Sequence, residues 1–110
     1  MSYKIIFTPL FLAQAKRLSK KYASFKSDLA SLEPELSSNP ELGIDLGNGL
    51  FKIRLAIKSK GKEKSGGARI ITFLKNNKGE IYLLTVYDKS EVSNIEIRFL
   101  KQLIKDLFND

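Results

Sequence analysis

From Phe51 to Ile57 the chain alternates without a break. Phe51, Ile53, Leu55 and Ile57 fall on one side of an extended backbone, and Lys52, Arg54, Ala56 and Lys58 on the other. Such a segment is a strand with one buried face and one basic face. Two more strand-like runs follow, Ala68–Leu74 and Glu80–Tyr87, with only the turn Asn76–Gly79 between them. Connections this short force antiparallel neighbours. The middle of the chain therefore reads as a three-strand meander, and the rest of the sequence has to cover it.

The flanking segments supply that cover. Tyr3–Phe7 is short, β-branched and aromatic, and reads as a strand. Thr8-Pro9 has the form of a helix start, threonine as cap and proline at the first helical position. Phe11, Ala15, Leu18 and Tyr22 then make one apolar stripe. Phe25, Leu29, Leu32 and Leu36 continue the pattern as a second helix in a hairpin with the first, and Pro34 should kink or end it. Ser38–Gly49 is rich in turn formers and reads as a loop. Glu91–Phe108 reads as a closing helix with Ser90 as its cap and Ile97, Leu100, Ile104 and Leu107 as its apolar face. The expected fold is α+β, in the order β-α-α-β-β-β-α, with the helices packed on one face of a small, mainly antiparallel sheet. Its 110 residues suit one domain, 1–110.

The charge is concentrated. Lys52, Arg54, Lys58, Lys60, Lys62, Lys64 and Arg69 against Glu63 give Lys52–Arg69 a net +6 of the chain's +7. Phosphate is the commonest polyanion such a patch meets, so nucleic acid is the first partner to consider. The chain has no cysteine and no histidine, which removes thiolate chemistry, zinc–sulfur sites and the usual neutral-pH base. No metal or other cofactor is expected. No apolar run reaches the ~18 residues that span a bilayer, and MSYKIIFTPLF followed by KRLSKK does not read as a signal peptide. A cytoplasmic protein is expected.

Basic groups on a sheet face can hold phosphates through counterion release and can stabilise charge on a phosphorane. Arginine clamps such a group in a bidentate fashion, and lysine acts as a point charge. Arg54 and Arg69 lie in apolar-flanked stretches where a charge calls for a reason. The lysines of the Ser59–Ser65 loop, each taken alone, are more simply a solvated face. Tyr87 could stack on a base or accept a proton if nearby cations lowered its pKa, or it could be a rim residue of the core. Tyr82 reads as packing. Gly66-Gly67 has neither the order nor the spacing of a Walker loop and reads as a bulge or tight turn.

The run GLFKIRLAIKSKGKEKSGGARIITFL, followed by EIYLLTVYDKSE, resembles the RelE/HigB-type toxins of bacterial toxin–antitoxin pairs. KIRLA, KSGGAR and YLLTVYDKSE carry the likeness, in that order, and the element order agrees over nearly the whole chain. The resemblance implies a metal-free mRNA interferase that acts in the ribosomal A site. There the nucleotide's own 2′-hydroxyl attacks the adjacent phosphate, and a cognate antitoxin blocks the toxin. By position it assigns Arg54 and Lys58 to the basic residues of the first meander strand, Arg69 to the arginine ending GGAR, and Tyr87 and Lys89 to the Y-x-K block. Lys52, Lys60, Lys62 and Lys64 are expected to contact RNA. Some relatives use histidine, which this chain lacks, so their acid–base roles do not transfer. On the same fold, a ParE-like gyrase inhibitor or a degenerate antitoxin-binding module is the alternative.

Overall fold

A computed structural model of the protein describes residues 2–61 and 66–108. Five strands form one sheet: β1 (Lys4–Phe7), β2 (Ile44–Gly47), β3 (Leu50–Leu55), β4 (Ala68–Lys75) and β5 (Glu80–Asp88). Among the described residues, three α-helices accompany them: α1 (Pro9–Lys21), α2 (Phe25–Ser38) and α3 (Ile97–Phe108). The sheet order is β1-β5-β4-β3-β2. Only β1 runs parallel to its neighbour β5, and the other pairs are antiparallel. The α+β fold and the meander agree with the sequence reading.

The start of α1 is built as its residues dictate. The Thr8 hydroxyl accepts from the Phe11 N–H at 3.2 Å and donates to the Leu83 carbonyl at 3.0 Å, so one side chain caps the helix and ties it to β5. Phe11 and Leu18 are fully buried, with Ala15 and Tyr22 packed beside them. Burying side chains of this size contributes about 1.5–3 kcal/mol each. With Phe25, Leu32 and Leu36 of α2 they cover Ile53, Leu55, Ile70, Ile81, Leu83 and Val86.

Four features differ from the sequence reading. First, α2 does not end at Pro34 but runs on to Ser38. Proline removes one N–H, whose acceptor would be the Ala30 carbonyl; both residues lie on the exposed side, where water can replace the bond. Second, the Ser38–Gly49 segment contains a strand. β2 pairs with β3 through a hairpin in which Gly47, Asn48 and Gly49 all have positive φ, at 87°, 57° and 79°. Asn-Gly is the residue pair such a turn demands.

Third, α3 does not join the other helices. Leu100, Leu103 and Ile104 pack on the opposite sheet face, over Leu50, Ile71, Leu84 and Tyr87, while Ile97 and Leu107 stay exposed. A ring cluster of Phe73, Tyr82 and Phe108 holds its far end, with the Lys75 ammonium 3.9 Å from the Phe108 ring centre. Fourth, residues 91–96 are not helical. The Ser90 N–H and hydroxyl both turn back to Asp88 Oδ1, at 2.9 and 2.7 Å, so Ser90 caps no helix.

One irregularity sets which way the end of β5 faces. Thr72 pairs with Leu83 and Ile71 with Thr85, which leaves Leu84 as an extra residue in β5. This β-bulge resets the alternation of the strand beyond it.

Candidate active site

β3, β4 and β5 carry one basic or aromatic residue each in a single transverse row. Arg54 is the partner of Arg69, and Arg69 is the partner of Tyr87. Directly opposed residues project from the same face of a sheet with their Cβ atoms only ~4.5–5.5 Å apart. Three residues far apart in sequence are thereby brought together on the face that α3 partly covers. Lys52 lies two residues along β3 on the same side, opposite Ile71. The exposures are graded: Arg54 is open to solvent, Arg69 is 4% exposed and Tyr87 6%.

Two arginines in direct opposition are an unfavourable pair. Burial lowers the pKa of Arg69, the charge of Arg54 lowers it further, and Tyr87 works the other way. The Arg69 Nη1 donates to the Ala68 carbonyl at 3.3 Å. A phosphoryl group set between the two guanidinium groups turns their repulsion into shared attraction. The condition under which Tyr87 would accept a proton, a pKa lowered by nearby cations, is not met. Burial raises that pKa, and Arg69 offsets only part of the rise. At neutral pH the phenol keeps its proton.

An open groove of about 530 Å³ lies between α2 and β3, and Arg54 is the one member of the row that lines it. Leu32 and Leu55 line it, and Lys52, Arg54 and Lys58 stand along its β3 side. Lys58 is exposed in the turn after β3, and its backbone N–H donates to Asp28 Oδ2 at 3.1 Å. Lys89 extends past the other end of the row. Its backbone N–H donates to the Gly67 carbonyl at 3.0 Å and its ammonium to the Ser93 carbonyl at 2.6 Å.

Lys60 departs from expectation. Its ammonium bonds Asp88 Oδ1 at 2.7 Å, the Gly66 carbonyl at 3.1 Å and the Ser90 hydroxyl at 3.1 Å. All three of its donors are engaged, so it has none left for a phosphate. Lys62 and Lys64 lie outside the described residues. At Gly67, the second of the Gly66-Gly67 pair, two backbones approach closely. A Cβ on Gly67 would sit 2.2 Å from the Leu55 carbonyl oxygen, so glycine is needed where β4 begins against β3.

The residue that sequence reasoning missed is Asp88. It is fully buried, beside Tyr87, and it accepts from the Tyr22 hydroxyl at 2.5 Å as well as from Lys60 and Ser90. Burial pushes its carboxyl up, but the hydrogen bonds from Lys60, Tyr22 and Ser90 outweigh this and hold it well below the usual carboxylate range. The YDK tripeptide contains this acid, but nothing local announces partners in α1 and in the turn after β3.

Among the described residues no cluster of three or more His, Cys, Asp or Glu could hold a metal ion, and no helix is long and apolar enough to cross a membrane.

Among known proteins, residues 15–109 match the family profile described as the RelE toxin of the RelE/RelB toxin–antitoxin system. An arginine-to-alanine double mutant of the E. coli toxin RelE in the free state superposes with a TM-score of 0.64 at 15% identity, covering 98% of this chain and 100% of that one. The isolated E. coli RelE toxin gives a TM-score of 0.60 at 14% identity over 97% and 100%. The toxin–antitoxin complex RelBE2 from Mycobacterium tuberculosis gives 0.59 at 16% over 80% and 92%. At these identities the structural likeness is one of fold.

Proposed function

Because the chain belongs to the RelE toxin family of toxin–antitoxin systems, we propose that it is a ribosome-dependent mRNA endoribonuclease that inhibits translation. The observation that carries this reading is the Arg54–Arg69–Tyr87 row: two arginines opposed in register and a protonated phenol on one sheet face. In the reaction the 2′-oxygen forms a bond to phosphorus and loses its proton. The bond from phosphorus to the 5′-oxygen breaks, and that oxygen gains a proton, leaving a 2′,3′-cyclic phosphate and a 5′-hydroxyl. Charge accumulates on the equatorial phosphorane oxygens. Arg69, with Arg54 at the solvent side, supplies the positive charge there, a contribution worth about 2.7–4 kcal/mol per preorganised donor.

Tyr87 suits the donor side of this chemistry, and its ring offers a stacking surface for a base. Lys58 and Lys89 flank the two ends of the row, and Lys52 extends its positive field along β3. Lys62 and Lys64 are assigned to docking on RNA, and Lys60 is not. The chain acts as one toxin domain, 1–110, in the cytoplasm, with the ribosome and its mRNA as targets. A cognate antitoxin is its protein partner, as in the solved complexes of RelBE2 and of E. coli RelE with a RelB peptide.

The test is purified protein on programmed ribosomes, read by primer extension. Codon-linked breaks with cyclic-phosphate ends are expected. Intact mRNA, together with a supercoiling defect in a gyrase assay, would replace this reading with that of a gyrase inhibitor.

A further inference from the structure

The Arg54–Arg69–Tyr87 row lies one residue from the end of the sheet. The last paired residues of the three strands are Leu55, Ala68 and Asp88, and beyond them the ladders stop. Strand ends of this kind open locally at little cost. A site built one row inside such an end would be loose unless something closed it, and misplacement by ~1 Å can cost about 100-fold in rate.

We propose that Asp88 is a positioning residue that clamps this end of the sheet and so fixes the Arg54–Arg69–Tyr87 row. The inference rests on the nuclease reading for its catalytic consequence, though not for the clamp itself. Each strand end reaches the Asp88 carboxylate. β5 ends in Asp88 itself. The chain after β3 reaches it through Lys60, whose ammonium donates to Asp88 Oδ1 at 2.7 Å. The start of β4 is held through the same ammonium, which also donates to the Gly66 carbonyl, and through the Lys89 N–H on the Gly67 carbonyl. The end of α1 joins through the Tyr22 hydroxyl on Oδ2, with Lys21 3.8 Å from the same oxygen. The Lys21 and Lys60 ammonium groups each lie 5.3 Å from the centre of the Tyr22 ring.

The clamp stands on the face opposite the row. Asp88 joins the side covered by α1, and Tyr87 the side covered by α3. It therefore touches neither substrate nor reacting atoms. Its effect is to hold three backbones at one spacing. A single carboxylate with both oxygens engaged by groups from other segments is a network whose members depend on one another. Removing its charge takes from the Lys60 ammonium its one ion-pair partner among the described residues.

The test uses Asp88→Asn, Lys60→Gln and the double variant as full-length toxins. Amide hydrogen exchange reads the clamp, and single-turnover cleavage on programmed ribosomes reads the chemistry. In Asp88→Asn, the amides near Arg69 and Tyr87 should lose protection while those of Ile81 and Leu83 keep it. Per folded molecule, kcat should fall about 100-fold with KM for ribosomes unchanged. Lys60→Gln should fall in the same direction, and the double variant should lose less than the product of the two single losses. Unchanged exchange at the sheet end, or lost protection with wild-type kcat, would overturn the inference. So would a parallel loss of protection throughout the sheet, which marks global stability alone. If wild-type protein failed to cleave, the nuclease reading would fall, and the exchange arm would still decide whether the clamp exists.

Discussion

Arg54 faces Arg69 across the β3–β4 ladder, charge against like charge. Taken by itself, a like-charged pair directly opposed across a ladder is unfavourable. It becomes favourable when an anion with two faces comes between the pair. The arrangement thus gives separate and opposite expectations for stability and for activity.

Arg69→Ala should abolish growth arrest and lower the single-turnover cleavage rate about 100- to 1,000-fold, with the fold and antitoxin binding retained. Arg54→Ala should act in the same direction less severely. By removing the repulsion, Arg54→Ala should leave the urea midpoint unchanged or raise stability by about 0.2–1 kcal/mol. Equal toxicity of Arg69→Ala and wild type at matched expression would take Arg69 out of the site.

Tyr87→Phe keeps the ring and deletes the proton. It should lose part of the cleavage rate, whereas Tyr87→Ala should lose more, because stacking, worth ~1–3 kcal/mol per base, goes as well. The raised Tyr87 pKa has a stability consequence of definite sign. Above the ordinary tyrosine value of about 10, the unfolded chain gives up this proton before the folded one does. Stability should therefore be full below that value and fall as pH rises through the folded pKa. The Tyr87→Phe variant should show a shallower alkaline decline in thermal melts. Identical cleavage by both variants and wild type would return Tyr87 to the rim of the core.

Asp88 gives the mirror image in acid. Its folded pKa lies below the unfolded value, so below about pH 4 the unfolded chain binds the proton more readily than the native one. Its contribution is present above that range and is lost as pH falls. Urea midpoints measured between pH 3 and pH 6 should drop on acidification in wild type and stay flatter in Asp88→Asn. Equal slopes for the two proteins would contradict a carboxylate held this firmly by Lys60, Tyr22 and Ser90.

The basic loop should divide into two kinds of lysine. Neutralising Lys62 and Lys64 should reduce the salt slope of ribosome binding by ~0.7–0.9 for each phosphate no longer neutralised and leave stability unchanged. Lys60→Ala should do the reverse, since breaking a buried pair on one side typically costs about 3–5 kcal/mol. Binding titrations at several salt concentrations and denaturant melts would separate the two. A stable Lys60→Ala protein with weak ribosome binding would put Lys60 back among the docking residues.

Much of the fold is legible in the sequence because its signals are local. Thr8-Pro9 starts α1, the Phe51–Ile57 alternation builds β3, and the short turn after Leu74 sets β4 against β5. The β2 strand is also signalled, by Asn48-Gly49, but its few exposed residues are outweighed by the turn formers around them. The residue types of the candidate site stand out in the sequence too, whereas their adjacency does not. Arg54, Arg69 and Tyr87 align only once the strand registers are known. Lys60 looks like one more solvated lysine because its carboxylate partner lies 28 positions away. The proton state of Tyr87 depends on burial under a helix that packs on the face where none was expected.

A strand separates its two faces by counting in twos, and β5 counts one extra at Leu84. Before it, Ile81 and Leu83 face the helical hairpin; after it, Val86 does. Odd and even have traded places, so Tyr82 and Tyr87, an odd number of residues apart, share a face. Straightening β5 while holding its first half in register would set Val86 opposite Arg69 and turn Tyr87 toward the hairpin. Deleting Leu84 would merge the two registers into one regular ladder that still presents Tyr87 to Arg69. The leucine stands outside the β4–β5 pairing, and what it adds is one more buried side chain beneath α3, beside Leu50 and Ile71, and a carbonyl that accepts from the Thr8 hydroxyl at 3.2 Å.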